Sequence, residues 1–299
     1  MSGGQPPGPG DRLPIEAERE RRGSRILGPS GRARPEGRRA VLIALMSTVV
    51  FFTVLALVVV NSPGWPEIKR SFFNAERFRE DLPGIARAFV LNVKLFLMAE
   101  VFILVLALFI AVLRSLPGPV FFPIRALAVG YTDLFRGIPT ILVIYILGFG
   151  APALQLRGVP KSPFIWAVVA LVLVYSAYVA EVYRAGIESI HASQTAAARS
   201  LGLSRWQTLR FVVIPQAVRR VIPPLLNDFI GLQKDTALVA SIGVVEAFRT
   251  AQIDSSATFN FTPYVATALL FVVITIPLAR FTDALIARDR RRRQAGAAA

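Results

Sequence analysis

The chain contains no cysteine, which excludes disulfides, thiolate metal sites and a catalytic thiol. Its single histidine, His191, excludes a histidine-rich metal centre as well. No Gly-x-x-x-x-Gly-Lys-Ser/Thr run occurs, so the chain has no phosphate loop of its own and binds no nucleotide that way. No cofactor is expected on it, and any work driven by ATP must fall to another subunit. Lysine is scarce too: arginine supplies 30 of the 34 basic residues, an imprint of compositional bias rather than of a particular site. The alternation of apolar and polar residues that marks half-buried strands is also missing.

What the chain has instead is apolar residues in long blocks. Val41–Val60 runs for 20 residues without a charge, enough at ~1.5 Å per residue to cross a ~30 Å hydrocarbon layer. An all-α integral membrane protein follows, with spans expected at 41–60, 86–113, 125–149, 164–186, 219–243 and 263–286. The formal charge of +15 could point to nucleic acid, but the membrane accounts for it and no nucleic-acid partner is expected. With six spans and both termini inside, the inner segments carry 23 basic residues and the outer loops 7, which places the termini and the loop 187–218 in the cytoplasm. Residues 1–39, rich in Gly, Pro, Arg and Glu, are expected to be a disordered tail, and residues 288–299 a short basic one. A cleaved signal peptide is not expected, because the first apolar run starts about 40 residues in and is too long for one. The connection 61–84 has Trp65 and Phe72–Phe73 suited to the membrane interface and should form short interfacial helices. Arg290–Arg293 is expected to anchor to anionic lipid.

Between two of these blocks lies Gln194–Pro215, a polar segment bearing Arg199, Arg205 and Arg210. Arginines in hydrocarbon cost several kcal/mol each, so the segment must project into water. Ser193 can cap a first helix through Ala196–Leu201 that Gly202 ends. Ser204 with Gln207 forms a capping box for a second, which Pro215 should break or kink. Small side chains at Ala196, Ala197 and Ala198 allow another backbone to approach closely, and Leu201, Leu203 and Trp206 offer apolar contact. A docking surface for another protein and an amphipathic helix lying on lipid headgroups both fit this pattern.

The same stretch resembles the EAA loop of ABC-importer permeases, with Ala197, Ala198, Gly202, Val212, Ile214 and Pro215 at the matching spacings. Ser176–Ile190, Leu134–Val143 and Lys234–Glu246 resemble further signatures of the polar amino acid branch of that family, in the right order over roughly residues 86–286. The resemblance implies a type I importer permease fold in residues 85–287, preceded by an additional span and connection in 40–84. It also implies a bacterial inner-membrane location and no catalytic centre on the chain. Implied partners are a cytoplasmic ATPase dimer that hydrolyses ATP, an extracytoplasmic solute-binding protein, and a second permease copy or a homologous permease. The loop, through Ala196, Ala197, Ala198, Arg199, Gly202, Leu203, Trp206 and Pro215, would couple the ATPase to the spans. The family's glutamate falls on Ala196 here, where it would complete a capping box with Ser193.

Charged and amide groups inside the spans are the candidate translocation pathway: Glu100, Asp133, Arg136, Asn227 and Lys234. Glu100 must face a polar interior, a helix neighbour or a substrate cation. Gly137-Ile138-Pro139 interrupts the third span, and interrupted helices at membrane depth line cavities or mark packing kinks. Lys234 and Asp235 can neutralise each other or neighbouring groups behind a break at Pro223–Pro224, and Glu181 with Arg184 is spaced for an intrahelical pair. An ion-gradient-driven secondary transporter or channel, using Glu100 and Asp133, is the alternative from another class; so is a membrane anchor for a cytoplasmic partner.

Overall fold

The computed structural model describes residues 35–297, and side chains for 39–288 and 291; the expected tail at 1–34 lies outside it, as do most side chains of the basic run at 290–293. The chain divides into two compact units, one ending at Trp65 and one beginning at Pro66. Among the described residues the first holds one long helix, α1 (Pro35–Val60), so residues 35–39, assigned to the tail by composition, form its first turn. Its residues from Arg39 to Val60 are exposed on every side. A helix apolar all round has lipid as its natural surroundings.

Next comes α2 (Trp65–Phe72), the one short helix of the expected interfacial connection, which belongs to the second unit from Pro66 on. Asn74 then caps α3 (Ala75–Ser115) through its Oδ1, which accepts from the N–H groups of Glu76 at 3.0 Å and Arg77 at 3.1 Å. This cap starts the helix 11 residues ahead of the expected span. There follow α4 (Phe122–Gly137) and α5 (Thr140–Tyr145), which continues through a π turn at Ile146–Gly150 to Ala153. After α6 (Pro163–Glu188) come α7 (Ala192–Ser200), α8 (Arg205–Thr208), α9 (Ile214–Asp235), α10 (Ala247–Thr258) and α11 (Thr262–Ala297). No strand occurs among the described residues.

The core is the pairing of α3 with α6. Leu95, Ala99, Ile103 and Ala107 recur every four residues on one face of α3 and meet Ala167, Ala170, Leu171 and Val174 of α6, all fully buried. Between helices in lipid there is little hydrophobic gain, so close van der Waals approach carries the association, and alanines permit it. α9 packs on the other flank of α6, and α10 and α11 pack on α3.

Among the described residues four helices are long and apolar enough to cross a membrane, and a fifth if the pair α4–α5 counts as one span. That pair bends by 104° at the Gly137-Ile138-Pro139 interruption. The span expected at 219–243 falls on α9, whose Arg219, Arg220, Asp228, Lys234 and Asp235 keep it out of that count. Nor is α9 broken at Pro223–Pro224: the helix runs on through both prolines, at the expense of two backbone donors. The last helix likewise continues beyond 286, through the segment expected to be a tail.

Gly186 sets the distance between α6 and α9. A Cβ there would collide with Val221 Cγ2, and Val221 is itself buried. A valine on a helix has one strongly preferred rotamer and cannot swing aside. Gly186→Val is therefore expected to destabilise the detergent-solubilised protein by about 1–3 kcal/mol, the usual range for overpacking. A melting curve followed by size-exclusion chromatography checks it; an unchanged midpoint would show that the two helices separate freely.

Candidate functional site

The segment between α6 and α9 is an ordered two-helix loop. His191, not Ser193, is the N-cap of α7: its Nδ1 accepts the Ser193 N–H at 3.2 Å and also lies 2.7 Å from Ser193 Oγ. This moves the start of the helix forward, so Ala196 is its fifth residue rather than its third. A glutamate at 196 would be out of reach of a capping box with Ser193, and that expectation is corrected. Gly202 ends α7 at φ +84°, with its N–H on Arg199 O at 3.0 Å and the Leu203 N–H on Ala198 O at 3.2 Å. The capping box of α8 is complete: the Gln207 N–H donates to Ser204 Oγ at 3.2 Å and the Ser204 N–H to Gln207 Oε1 at 2.8 Å.

Pro215 does not end the second helix. The helix widens into a π turn over Leu209–Val213 and passes directly into α9, the Ile214 N–H reaching back to Leu209 O. Proline has no N–H and its ring crowds the carbonyl four residues back, so a wider turn lets the helix pass through it. The loop is thus continuous with α9. It is also tied to α6, because Arg220 donates to Ser189 O and Ile190 packs with Val213 and Ala217.

Away from this root the loop is bare. Ala198 is buried, whereas Ala196, Ala197 and Arg199 are exposed, Leu203 is half-buried, and Leu201 and Trp206 are 83% and 64% exposed. Two large apolar side chains among Arg199, Arg205 and Arg210 make a surface suited to a protein partner.

The charged groups within the helices fall into separate sets. Near the loop, Arg114 of α3 donates to Glu181 Oε2 at 2.7 Å and to Thr132 Oγ1 of α4 at 3.1 Å, while Arg184 pairs with both Glu181 and Glu188. The expected Glu181–Arg184 pair is therefore the centre of a network joining three helices. Deeper in, Glu100 of α3 and Asp228 of α9 are both half-buried, on helices that pack together. The Asp228 Oδ2 is buried without a hydrogen-bond partner. Asp235 accepts from the Tyr175 hydroxyl at 2.9 Å, and Lys234 is exposed, with no carboxylate within ion-pair distance among the described residues. Asp133, Arg136 and Asn227 are exposed as well, with the Arg136 guanidinium 5.9 Å from the centre of the Tyr178 ring. The structure brings Glu100 towards Asp228 but does not gather the five candidates into one cluster.

A second polar centre had no counterpart in the sequence reading. Glu246 is wholly buried and caps α10, accepting the N–H groups of Phe248 at 2.9 Å and Arg249 at 2.8 Å. Asn92 of α3 donates to Glu246 Oε2 at 2.7 Å and to Thr236 Oγ1 at 3.1 Å, and accepts the Ala247 N–H at 3.1 Å. Burial pushes the Glu246 carboxyl above its ordinary range, and these hydrogen bonds pull it back. The signal that could have found it was Asn92, a lone amide in an apolar run. Beside this centre, α5, the segment Thr236–Ile242 and α10 enclose an open cavity of about 500 Å³. A larger groove of about 660 Å³ over Met98, Phe102 and Ile165 is apolar throughout and faces outward from the α3–α6 pair.

Residues 105–291 match the family described as binding-protein-dependent transport system inner membrane component. The chain is 37% identical over 175 residues to the probable glutamine ABC transporter permease protein GlnM of Bacillus subtilis (strain 168), covering 58% of this chain and 78% of that one. It is 32% identical over 198 residues to the arginine transport system permease protein ArtQ of the same organism, covering 66% and 88%. Among solved structures it is similar to a chain of an amino acid ABC transporter with histidines, at 32% identity and a TM-score of 0.63 over 69% of this chain and 94% of that one. A chain of the inward-facing MetNI methionine ABC transporter, at 16% identity and a TM-score of 0.55, shares the fold over 68% of this chain and 94% of that one.

Proposed function

This chain belongs to the family of binding-protein-dependent transport system inner membrane components, and we propose that it is the pathway-forming permease subunit of an ATP-driven amino acid importer. It is a multi-pass inner-membrane protein of the type I ABC permease fold. The observation that carries the reading is the loop of α7 and α8: internally capped, rooted on α6 and continuous with α9, yet presenting Leu201 and Trp206 to solvent. A rigid lever with an apolar face is what a separate ATPase needs in order to move the spans. In this reading both termini and the loop are cytoplasmic and six spans cross the membrane. Two ATPase subunits grip the loops of two permeases, this one and a second copy or a homologue, and an extracytoplasmic solute-binding protein delivers substrate. Glu100 and Asp228, on facing helices, belong to the pathway.

The relatives named for glutamine and arginine transport, with the solved transporter with histidines and a glutamate transport system permease protein of Corynebacterium glutamicum 33% identical over 207 residues, define the substrate panel: glutamine, glutamate, arginine and histidine. The deciding experiment is mild-detergent purification of the tagged protein from native membranes. A stoichiometric P-loop ATPase is expected to co-purify and to be lost when residues 194–210 are scrambled. A clean oligomer without an ATPase, together with gradient-driven flux by the chain reconstituted alone, would overturn the reading in favour of secondary transport.

A further inference from the structure

His191 stands at the junction that aims the loop. α6 ends at Glu188 and α7 begins at Ala192, so only Ser189, Ile190 and His191 join them. The first two belong to the root: Ser189 O accepts from Arg220, and Ile190 is buried with Val213 and Ala217. His191 is exposed, beyond that anchorage, and its extended backbone at φ −61°, ψ 137° turns the chain from one helix into the next. The direction in which α7 leaves the root therefore depends on what holds this residue.

What holds it is the imidazole. Nδ1 accepts the Ser193 N–H at 3.2 Å and lies 2.7 Å from Ser193 Oγ. It can accept the N–H only while that nitrogen carries no proton. Among the described residues no other side chain caps the first turn of α7. The usual caps, Ser, Thr, Asn and Asp, offer an oxygen that accepts throughout the neutral range. Histidine is the side chain whose charge ordinarily changes between pH 5 and 8. A proton on Nδ1 turns the acceptor into a donor facing a donor, and it adds a positive charge at a helix N-terminus, where the dipole disfavours one. No acid stands by to compensate. The acids at the end of α6, Glu181 and Glu188, are both paired with Arg184. The other charged groups on the elements that meet here are cations: Arg199 of α7, Arg205 of α8, Arg210 of the π turn, and Arg219 and Arg220 of α9.

We propose that His191 makes the loop acid-sensitive: protonation of Nδ1 uncaps α7 and lowers the coupling of ATP hydrolysis to uptake. The cap is whole where the imidazole is neutral and is lost as the pH on the loop side falls. An N-cap shifts the balance between capped and frayed helix by about twofold to thirtyfold. Fraying at this end frees the direction of α7, and with it the placing of Leu201 and Trp206. An importer so built slows as its cytoplasm acidifies. The effect on coupling rests on the import reading; the uncapping does not.

Two measurements test it. Hydrogen exchange at residues 193–198 of the permease is compared between wild type and His191→Asn at matched pH, from about 8 to about 5.5. Matching the pH cancels the intrinsic pH dependence of exchange, and asparagine caps without titrating in this range. Protection should be alike at the upper end, with wild type exchanging about threefold faster or more at the lower end. His191→Ala should exchange fast throughout. The second measurement is uptake per ATP hydrolysed by proteoliposomes of the whole complex, with pH varied only on the side that receives ATP. Each form is normalised to its own value at the upper pH, and wild type should fall about threefold or more relative to His191→Asn. Parallel exchange in the two forms at every pH overturns the switch. A pH-dependent cap with parallel uptake profiles overturns its control of coupling. A preparation without an ATPase, or without uptake at any pH, overturns the import reading and the effect on coupling with it, while the exchange comparison still decides the cap.

Discussion

Replacing Gly202 with valine is expected to reduce ATP-dependent uptake by the assembled transporter about tenfold or more while leaving the transmembrane core folded. Gly202 sits at φ +84°, a conformation that costs an L-residue roughly 1–2 kcal/mol and a β-branched one more. The cost is conformational and not a clash, since a Cβ at this position would meet no atom within 4 Å. Relieving it means giving up the hydrogen bonds from Gly202 N–H to Arg199 O and from Leu203 N–H to Ala198 O, which close the end of α7. The angle between α7 and α8 would then change, and with it the spacing of Leu201 and Trp206, the two apolar groups offered to a partner. A shift of about 1.4 kcal/mol between coupled and uncoupled geometries already amounts to tenfold. Gly202→Asn is the control, because asparagine tolerates the left-handed region and should keep most of the activity. Uptake by proteoliposomes containing the whole complex, together with a melting curve of the permease, measures both sides. Wild-type uptake by the valine variant would remove the loop from the coupling path.

What the sequence disclosed about this loop, and what it did not, follows from the range of the interactions. Gly202 and the Ser204–Gln207 box are short-range codes, complete within four residues, and both are in place as expected. The start of α7 was misplaced because an imidazole is an unusual cap, and Ser193 beside it has the more familiar chemistry. Pro215 signals a break or a kink because the clash with the preceding turn is local; whether a helix ends there or widens into a π turn depends on the α6–α9 packing that holds both sides in line. The interruption at Gly137-Ile138-Pro139 was legible for the same local reason, and it is a 104° bend. The Arg114–Glu181 and Asn92–Glu246 contacts were not, since partners 67 and 154 residues apart leave no periodic trace. Asp133, Arg136 and Lys234 stand out as charges within apolar runs. Such a criterion finds polar groups in spans but does not tell which of them share a face.

The buried cap at Glu246 is expected to give the largest loss of stability. Glu246→Leu would remove the acceptor for three donors at once: Asn92 Nδ2 and the N–H groups of Phe248 and Arg249. An orphaned buried polar group costs about 1–3 kcal/mol; Asn92 Nδ2 keeps Thr236 Oγ1 as a partner, but with Glu246 and Asn92 0% and 1% exposed no solvent reaches the contact between them. Allowing for the desolvation that the carboxylate itself no longer suffers, a net loss of about 3–5 kcal/mol follows, in line with breaking one side of a buried charged contact. Glu246→Gln should cost less, because its remaining oxygen still caps the helix, but its amide would point N–H groups at donors on the side where Oε2 now accepts from both Asn92 and Phe248. Asn92→Leu removes a donor and also strands the Ala247 N–H, so it should destabilise by about 2–3 kcal/mol. The double variant Asn92→Leu/Glu246→Leu is the informative one: residues in one hydrogen-bond network are not additive, and its loss should fall short of the sum of the single losses by at least about 1 kcal/mol. Unfolding of the detergent-solubilised protein measures all four. Additive losses would mean that the two side chains act separately, with Glu246 serving only as the cap of α10. Strong coupling would mean that α3 and α10 are held by one shared polar joint, which would fix the N-terminus of α10 and, with it, the position of Arg249 on the cavity wall.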